Sequence, residues 1–145
     1  MAKLEMVFDP TENSPSAERV KNGVIFHNFA ATGVTAFYLT NFFLKSERGE
    51  LMGGLLGMIW GGCLHISILW VDEAARGEGN ATRMMDAAEA YAREHHCHLA
   101  TLYTHSFQAR PFYEKRGYEV FGTLEDYPPA HAKYFLKKRL SPPVL

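Results

Sequence analysis

Cysteine is scarce in this chain: Cys63 and Cys97 are the only two among 145 residues. Two cysteines do not build the disulfide framework of a small secreted domain, and their spacing does not match a zinc site. An excess of charge of one sign is also lacking. Fifteen basic against sixteen acidic residues leave a formal net charge of -1, which gives no drive toward nucleic acid or an anionic membrane surface. Long apolar runs are missing as well. The longest candidate, Leu51 to Val71, is broken by Gly53, Gly54, Gly57, Gly61, Gly62 and His65, so it does not read as a membrane span. The start, Met1-Ala2-Lys3-Leu4-Glu5-Met6, turns acidic too early for a secretory leader. There is no internal repeat, low-complexity block or linker. These absences predict a single cytoplasmic domain over residues 1–145, without nucleic-acid or membrane partners.

What is present is an ordinary globular composition, 47% hydrophobic and 21% charged. At this length roughly 70% of the unfolded surface can be buried without staples. Leu4–Asp9 is a short strand candidate stopped by Asp9-Pro10. Ser14 can cap a helix whose first position is Pro15 and whose apolar residues are Ala17, Val20 and Val24. Phe37–Leu44, Leu51–Trp60 and Cys63–Val71 are strand candidates joined by Ser46–Glu50 and by Gly61-Gly62, which makes an antiparallel meander. Ala81, Met84, Met85, Ala88, Ala92 and His95 then repeat at helical spacing, opposite Thr82, Arg83, Asp86, Glu89, Arg93 and Glu94. A strand at His98–Tyr103, a short helix at Gln108–Arg116 and two closing strands at Tyr118–Leu124 and Lys133–Lys138 complete the chain. Strand, loop, helix, strand in the middle is a βαβ unit with a right-handed crossover. The fold class is α/β, a mixed sheet with helices on its faces.

The run Arg76-Gly77-Glu78-Gly79-Asn80-Ala81 lies between a strand and an amphipathic helix. A glycine loop opening a helix aims unpaired backbone N–H groups and the positive end of the helix dipole at one small volume, which suits a pyrophosphate. No Gly-Lys-Ser/Thr follows it, so it is not a standard P-loop. His95-His96-Cys97-His98 at a helix end points in divergent directions, and no metal site is expected there.

Two blocks resemble one known family. Leu69-Trp70-Val71 with Arg76-Gly77-Glu78-Gly79-Asn80-Ala81 is similar to the acetyl-CoA motif of the GNAT family of N-acetyltransferases. Ser106-Phe107-Gln108-Ala109-Arg110-Pro111-Phe112-Tyr113-Glu114-Lys115-Arg116-Gly117-Tyr118 is similar to the family's Asn-x-x-Ala-x-x-Phe-Tyr-x-x-x-Gly-Phe segment. The resemblance implies a GNAT-like fold that moves an acetyl group from acetyl-CoA to a primary amine by direct attack. It implies that cofactor contacts come from Leu69, Trp70, Val71, from Arg76 to Ala81, and from Ser106, Phe107, Ala109, Phe112 and Tyr113. In that scheme the strand ending at Val71 and the one at His98–Tyr103 splay into a slot. Leu69 N–H would hold the acetyl carbonyl oxygen, and Tyr113 occupies the family's position for the acid that protonates the leaving thiolate.

The attacking amine must also lose a proton. His65 lies four residues before Leu69, on the same face of the strand unless a bulge intervenes, and the family's histone-modifying members carry a glutamate base at the corresponding offset. His65 is therefore the candidate base, with His105 and His131 behind it. Ser106 departs from the family's asparagine and removes an amide that usually holds the pantetheine arm. The expected acceptor is a small-molecule amine, and homodimers are common in the resembling family. The rivals are a non-catalytic acyl-CoA-binding module and an enzyme acting on a protein or aminoacyl-tRNA amine.

Overall fold

The computed structural model describes residues 2–141. Two compact units divide the chain, Met1–Thr35 and Ala36–Leu145. In the first, residues 2–13 hold no regular structure, so the strand expected at Leu4–Asp9 does not form. A strand needs a ladder partner, and here the Asp9 carboxylate instead accepts the Thr11 N–H at 3.0 Å and closes a local turn. Helix α1 runs Pro15–Thr32. The Ser14 hydroxyl accepts the Ala17 N–H at 3.1 Å, and Gly33 ends the helix at φ 71 with its N–H on Phe29 O at 2.8 Å.

The second unit is a six-stranded sheet: β1 (Phe37–Lys45), β2 (Leu51–Trp60), β3 (Cys63–Val71), β4 (Leu99–His105), β5 (Glu119–Glu125) and β6 (Ala132–Arg139). Their spatial order is β1-β2-β3-β4-β6-β5. The β3–β4 pair is parallel and the other four are antiparallel. Helix α2 (Asn80–Glu94) makes the crossover between β3 and β4, and α3 (Arg110–Lys115) follows β4. Strand alternation puts Leu55, Gly57 and Ile59 of β2 on one face with Leu64 and Ile66 of β3. Met84, Met85, Ala88 and Ala92 of α2 close over that face, and Ala100, Leu102 and Leu136 extend the same core.

One irregularity shapes β3. Leu56 pairs with Ile68 but Gly57 pairs with Ile66, which leaves Ser67 as an extra residue. This is a β-bulge, and it shifts the side-chain parity of everything after it. Gly57 lies opposite. A Cβ there would stand 2.9 Å from His65 O and 3.3 Å from Thr40 O, so only glycine permits so close a backbone. The Ser67 hydroxyl donates to Leu56 O at 3.0 Å and fixes the bulged residue.

Helical spacing suggests a solvent position for Glu89, yet its side chain is 2% exposed. It stands one turn after Met85, so it shares that residue's inward face. Its carboxylate accepts from Lys138 Nζ at 2.6 Å, Arg116 Nη2 at 3.0 Å and the Tyr118 hydroxyl at 3.0 Å. Burial alone would raise the carboxyl pKa, but these donors and cations outweigh it and hold it below the usual range. Glu89→Ala would leave Arg116 and Lys138 without their buried counter-charge. It should cost about 3–5 kcal/mol in urea denaturation. Glu114→Ala, which breaks the exposed Arg110–Glu114 pair, should stay within about 0.5 kcal/mol.

Candidate active site

The parallel ladder between β3 and β4 spans four pairs, Cys63↔Leu99 to Ile66↔Leu102, and then stops. Beyond it the two strands part, as the resemblance implies, and among the described residues the β4-facing edge of Ile68–Val71 has no strand partner. Two cavities reach Leu69, just beyond this parting.

The larger, of 640 Å³, is lined by Leu69, Trp70 and Val71 of β3, by the loop that follows, and by Phe107, Ala109, Phe112 and Tyr113. The loop is built locally. Asp72 accepts the Ala74 N–H at 2.9 Å and caps a single 3-10 turn over Glu73–Ala75. Arg76 Nε donates back to Val71 O at 2.9 Å. Gly77 and Gly79 then take φ of 78 and 79, which glycine adopts without strain. Gly79 occupies the N-cap of α2, so no side chain caps the helix, and its first turn carries no acidic residue. The N–H groups of Asn80, Ala81 and Thr82 therefore lack intrahelical acceptors and form a positive helix end beside Arg83. This donor set fits an anionic phosphate group.

Arg76, Gly77, Gly79, Asn80 and Ala81 line the cavity, while Glu78 and Ser106 are not part of its wall. Ser106 is occupied elsewhere. Its hydroxyl accepts the Ala132 N–H at 3.1 Å and meets His131 Nδ1 at 3.3 Å, pinning the loop between β5 and β6.

The smaller cavity, of 320 Å³, is lined by Ser67, Ile68 and Leu69, by Tyr103, Thr104 and His105, and by Gln108, Ala109 and Tyr113. Leu69, Gln108, Ala109 and Tyr113 belong to both walls. Tyr113 is 8% exposed, and its hydroxyl has no hydrogen-bond partner among the described residues. Burial raises its pKa, so it keeps its proton at neutral pH. Gln108 stands inside the second quoted block but attracts no attention in the sequence. The missing amide at 106 draws the eye to that position, and only the fold shows a carboxamide two residues later on the shared wall.

The bulge at Ser67 overturns the parity argument for His65. The register places Leu69 opposite Leu55 on the core face and His65 opposite Met58 on the other face. His65 lines neither cavity. Its Nδ1 lies 3.0 Å from the Thr101 hydroxyl, and burial lowers its pKa. His105 does line the smaller cavity, with Nδ1 3.3 Å from Tyr127 O. A carbonyl can only accept, so this contact puts the proton on Nδ1 and leaves Nε2 with a free lone pair. Cys63 and Cys97 are both free thiols whose pKa burial raises, which makes them poor nucleophiles.

An aromatic rim borders the smaller cavity. His105 stacks on Phe107 at 5.2 Å and on Tyr127 at 5.5 Å. The Lys133 ammonium sits 3.8 Å over the Tyr103 ring. Among the described residues no group of three or more His, Cys, Asp or Glu side chains converges on a point suited to a metal. No helix among them is long and apolar enough to cross a membrane.

Comparison with known proteins agrees with this geometry. Residues 9–118 match the acetyltransferase (GNAT) family. Over 95 residues, 65% of this chain and 70% of the other, the sequence is 44% identical to blasticidin-S acetyltransferase of Streptomyces morookaense. An acetyltransferase from Bacillus cereus superposes with a TM-score of 0.79 at 33% identity, covering 93% of this chain and 97% of its own. An acetyltransferase from Agrobacterium tumefaciens superposes at 0.86 with 26% identity, covering 94% and 99%. With its splayed strands, uncapped glycine-loop helix and family match over most of its length, this chain belongs to the GNAT family of acetyltransferases.

Proposed function

We propose that the chain transfers an acetyl group from acetyl-CoA to a primary amine of a small molecule, with residues 1–145 acting as one catalytic domain. The observation that carries this is the wall common to the two cavities, made by Leu69, Gln108, Ala109 and Tyr113. The larger cavity, with its free helix N–H groups, suits the phosphates and the pantetheine arm. The smaller suits the amine. Acetyl-CoA supplies an acetyl group already activated as a thioester.

The protein's own groups then divide the work. Leu69 N–H donates to the acetyl carbonyl oxygen as it gains charge. The amine nitrogen bonds to the acetyl carbon while the carbon–sulfur bond breaks. Tyr113 gives its proton to the departing sulfur, so CoA leaves as the thiol. His105 Nε2 accepts the proton that the amine sheds, directly or through water. His105 takes this role in preference to His65 because it lines the smaller cavity and His65 lines neither.

Charge narrows the acceptor. Among the described residues no aspartate or glutamate lines the smaller cavity, and Lys133 sits over the ring of Tyr103, which does line it. A polycationic acceptor finds no counter-charge in that wall, whereas an amine with neutral or acidic groups meets no repulsion. A panel of amines with acetyl-CoA, read by thiol release and product mass, tests the proposal. Because a 44% identical relative is named for blasticidin S, that antibiotic heads the panel, followed by amino acids and a polyamine. Thiol release with none of them, alongside intact CoA binding, would make the protein a binding module.

Three sets of variants probe the parts. Tyr113→Phe keeps the ring and removes the proton, so turnover should fall by about 10²-fold with CoA affinity unchanged; near wild-type turnover would remove Tyr113 from the chemistry. Gly79→Asp sets a carboxylate on the free N–H groups of α2. CoA affinity by calorimetry should drop about tenfold or more, while the left-handed φ of 79 costs the folded state about 1–2 kcal/mol. Unchanged affinity would place the phosphates elsewhere.

The histidines separate by turnover and by stability. His105→Gln should lower kcat/KM by about 10²-fold, and His65→Gln should leave it near wild type. The pKa of His65 is lowered in the fold from 6.5, so below that value the unfolded chain binds the extra proton more readily. Its contribution to stability is present above pH 6.5 and lost as pH falls below it. His65→Gln should therefore flatten the acid side of the Tm–pH curve. The opposite pattern, turnover lost in His65→Gln alone, would return the base to His65.

A further inference from the structure

The wall shared by the two cavities holds four residues, and three have accounted-for chemistry. Leu69 offers a backbone N–H, Tyr113 a proton, and Ala109 nothing polar. Gln108 is the fourth. A carboxamide carries one acceptor oxygen and two N–H donors, and its partners decide which end is which. The oxygen end is identified by the His105 backbone N–H, 2.7 Å away, which can only donate. The Thr104 hydroxyl donates to the same oxygen at 3.3 Å. Thr104 is itself buried at 3% exposure, so the oxygen end is tied to the core while Gln108 as a whole is exposed. Nε2 is thereby turned the other way, and among the described residues it donates to no protein acceptor.

We infer that the Gln108 side-chain amide is a second hydrogen-bond donor to the acetyl carbonyl oxygen, working beside Leu69 N–H. This rests on the acetyl transfer proposed above. A donor whose orientation is set before the ligand arrives needs no reorganisation as charge develops on that oxygen, which is where such a group lowers the barrier most. Gln108 is neutral and keeps all its protons throughout. The sulfur still takes its proton from Tyr113, and the amine still loses one to His105 or water. The carbonyl oxygen, flanked by Leu69 from β3 and Gln108 from the loop after β4, would bridge the parting of the two strands.

Two substitutions separate this role from a structural one. Gln108→Glu keeps an oxygen for the His105 N–H and the Thr104 hydroxyl but cannot donate when ionised. Gln108→Met is neutral and of similar length and makes neither kind of bond. If the donor matters, kcat should fall by about 10²-fold in both variants. Thermal stability should fall only in Gln108→Met. Calorimetry should show unchanged affinity of Gln108→Met for CoA, which has no acetyl group. An infrared measurement with carbonyl-labelled acetyl-CoA gives a readout apart from turnover. The bound carbonyl stretch should lie lower in the wild type than in either variant.

Equal stretches in all three proteins would overturn the inference. So would a Gln108→Glu enzyme with wild-type kcat, which would mean that the oxygen's anchoring role is the whole of it. Weakened CoA binding with kcat intact would assign Gln108 to the pantetheine arm instead. A wild type that neither binds CoA nor releases thiol would defeat acetyl transfer itself, an outcome distinct from active wild type with equally active variants.

Discussion

Four residue pairs hold β3 to β4, and the molecule's chemistry depends on the ladder stopping there. Backbone N–H and C=O groups at an interior strand edge ordinarily have partners, because leaving them dry and unpaired is costly. Past Ile66 and Leu102 the two strands no longer partner each other; Arg76 takes Val71 O and Gln108 takes the His105 N–H instead, and the parting strands leave a gap bordered by two cavities. The bulge at Ser67 sits one residue past the last pair, and Gly57 makes room for it by bringing two backbones within reach of each other. A side chain at Gly57 would push β2 away from His65 O and disturb the start of the gap. The position of the site thus follows from a backbone constraint on β2, the strand beside the one that leads into the ligand loop.

Charge is distributed to suit this arrangement. Near the glycine loop, positive character is exposed: an uncapped helix end with no acidic residue in its first turn. Between α2 and the sheet the opposite holds. Glu89 gathers Arg116, Lys138 and Tyr118 around one buried carboxylate, tying α2 to the end of α3 and to β6. Arg116 lies three residues after Tyr113, so this cluster also fixes the short helix that carries the tyrosine. A six-residue helix has little stability of its own, and its orientation comes from such tertiary anchors.

Much of the plan was legible in the chain itself. The glycine hairpins marked β1 to β3 to within a residue, because alternating apolar residues and two-residue glycine turns are local signals. The Arg76–Ala81 loop was legible for the same reason: φ near 78 at Gly77 and Gly79 is demanded by the turn and supplied by the residue. Tyr113 was visible through its motif. Leu4–Asp9 was misleading, since strand propensity without a ladder partner decides nothing.

Where side chains point, by contrast, required the assembled sheet. His65 and Leu69 are four residues apart, and alternation alone would place them together; one extra residue at Ser67 separates them. Ser106 looks like a ligand contact by position, yet Ala132 and His131 claim it from 26 and 25 residues away. Glu89 looks solvated by type, yet Lys138, 49 residues on, makes it a core group. The sequence by itself determined the order of elements, the turn that can receive an anion and the family to which the chain belongs, because each rests on neighbours within a few positions. Only the tertiary structure decided which groups share the wall between the two cavities, because bulges and long-range hydrogen bonds act between residues whose separation along the chain carries no signal.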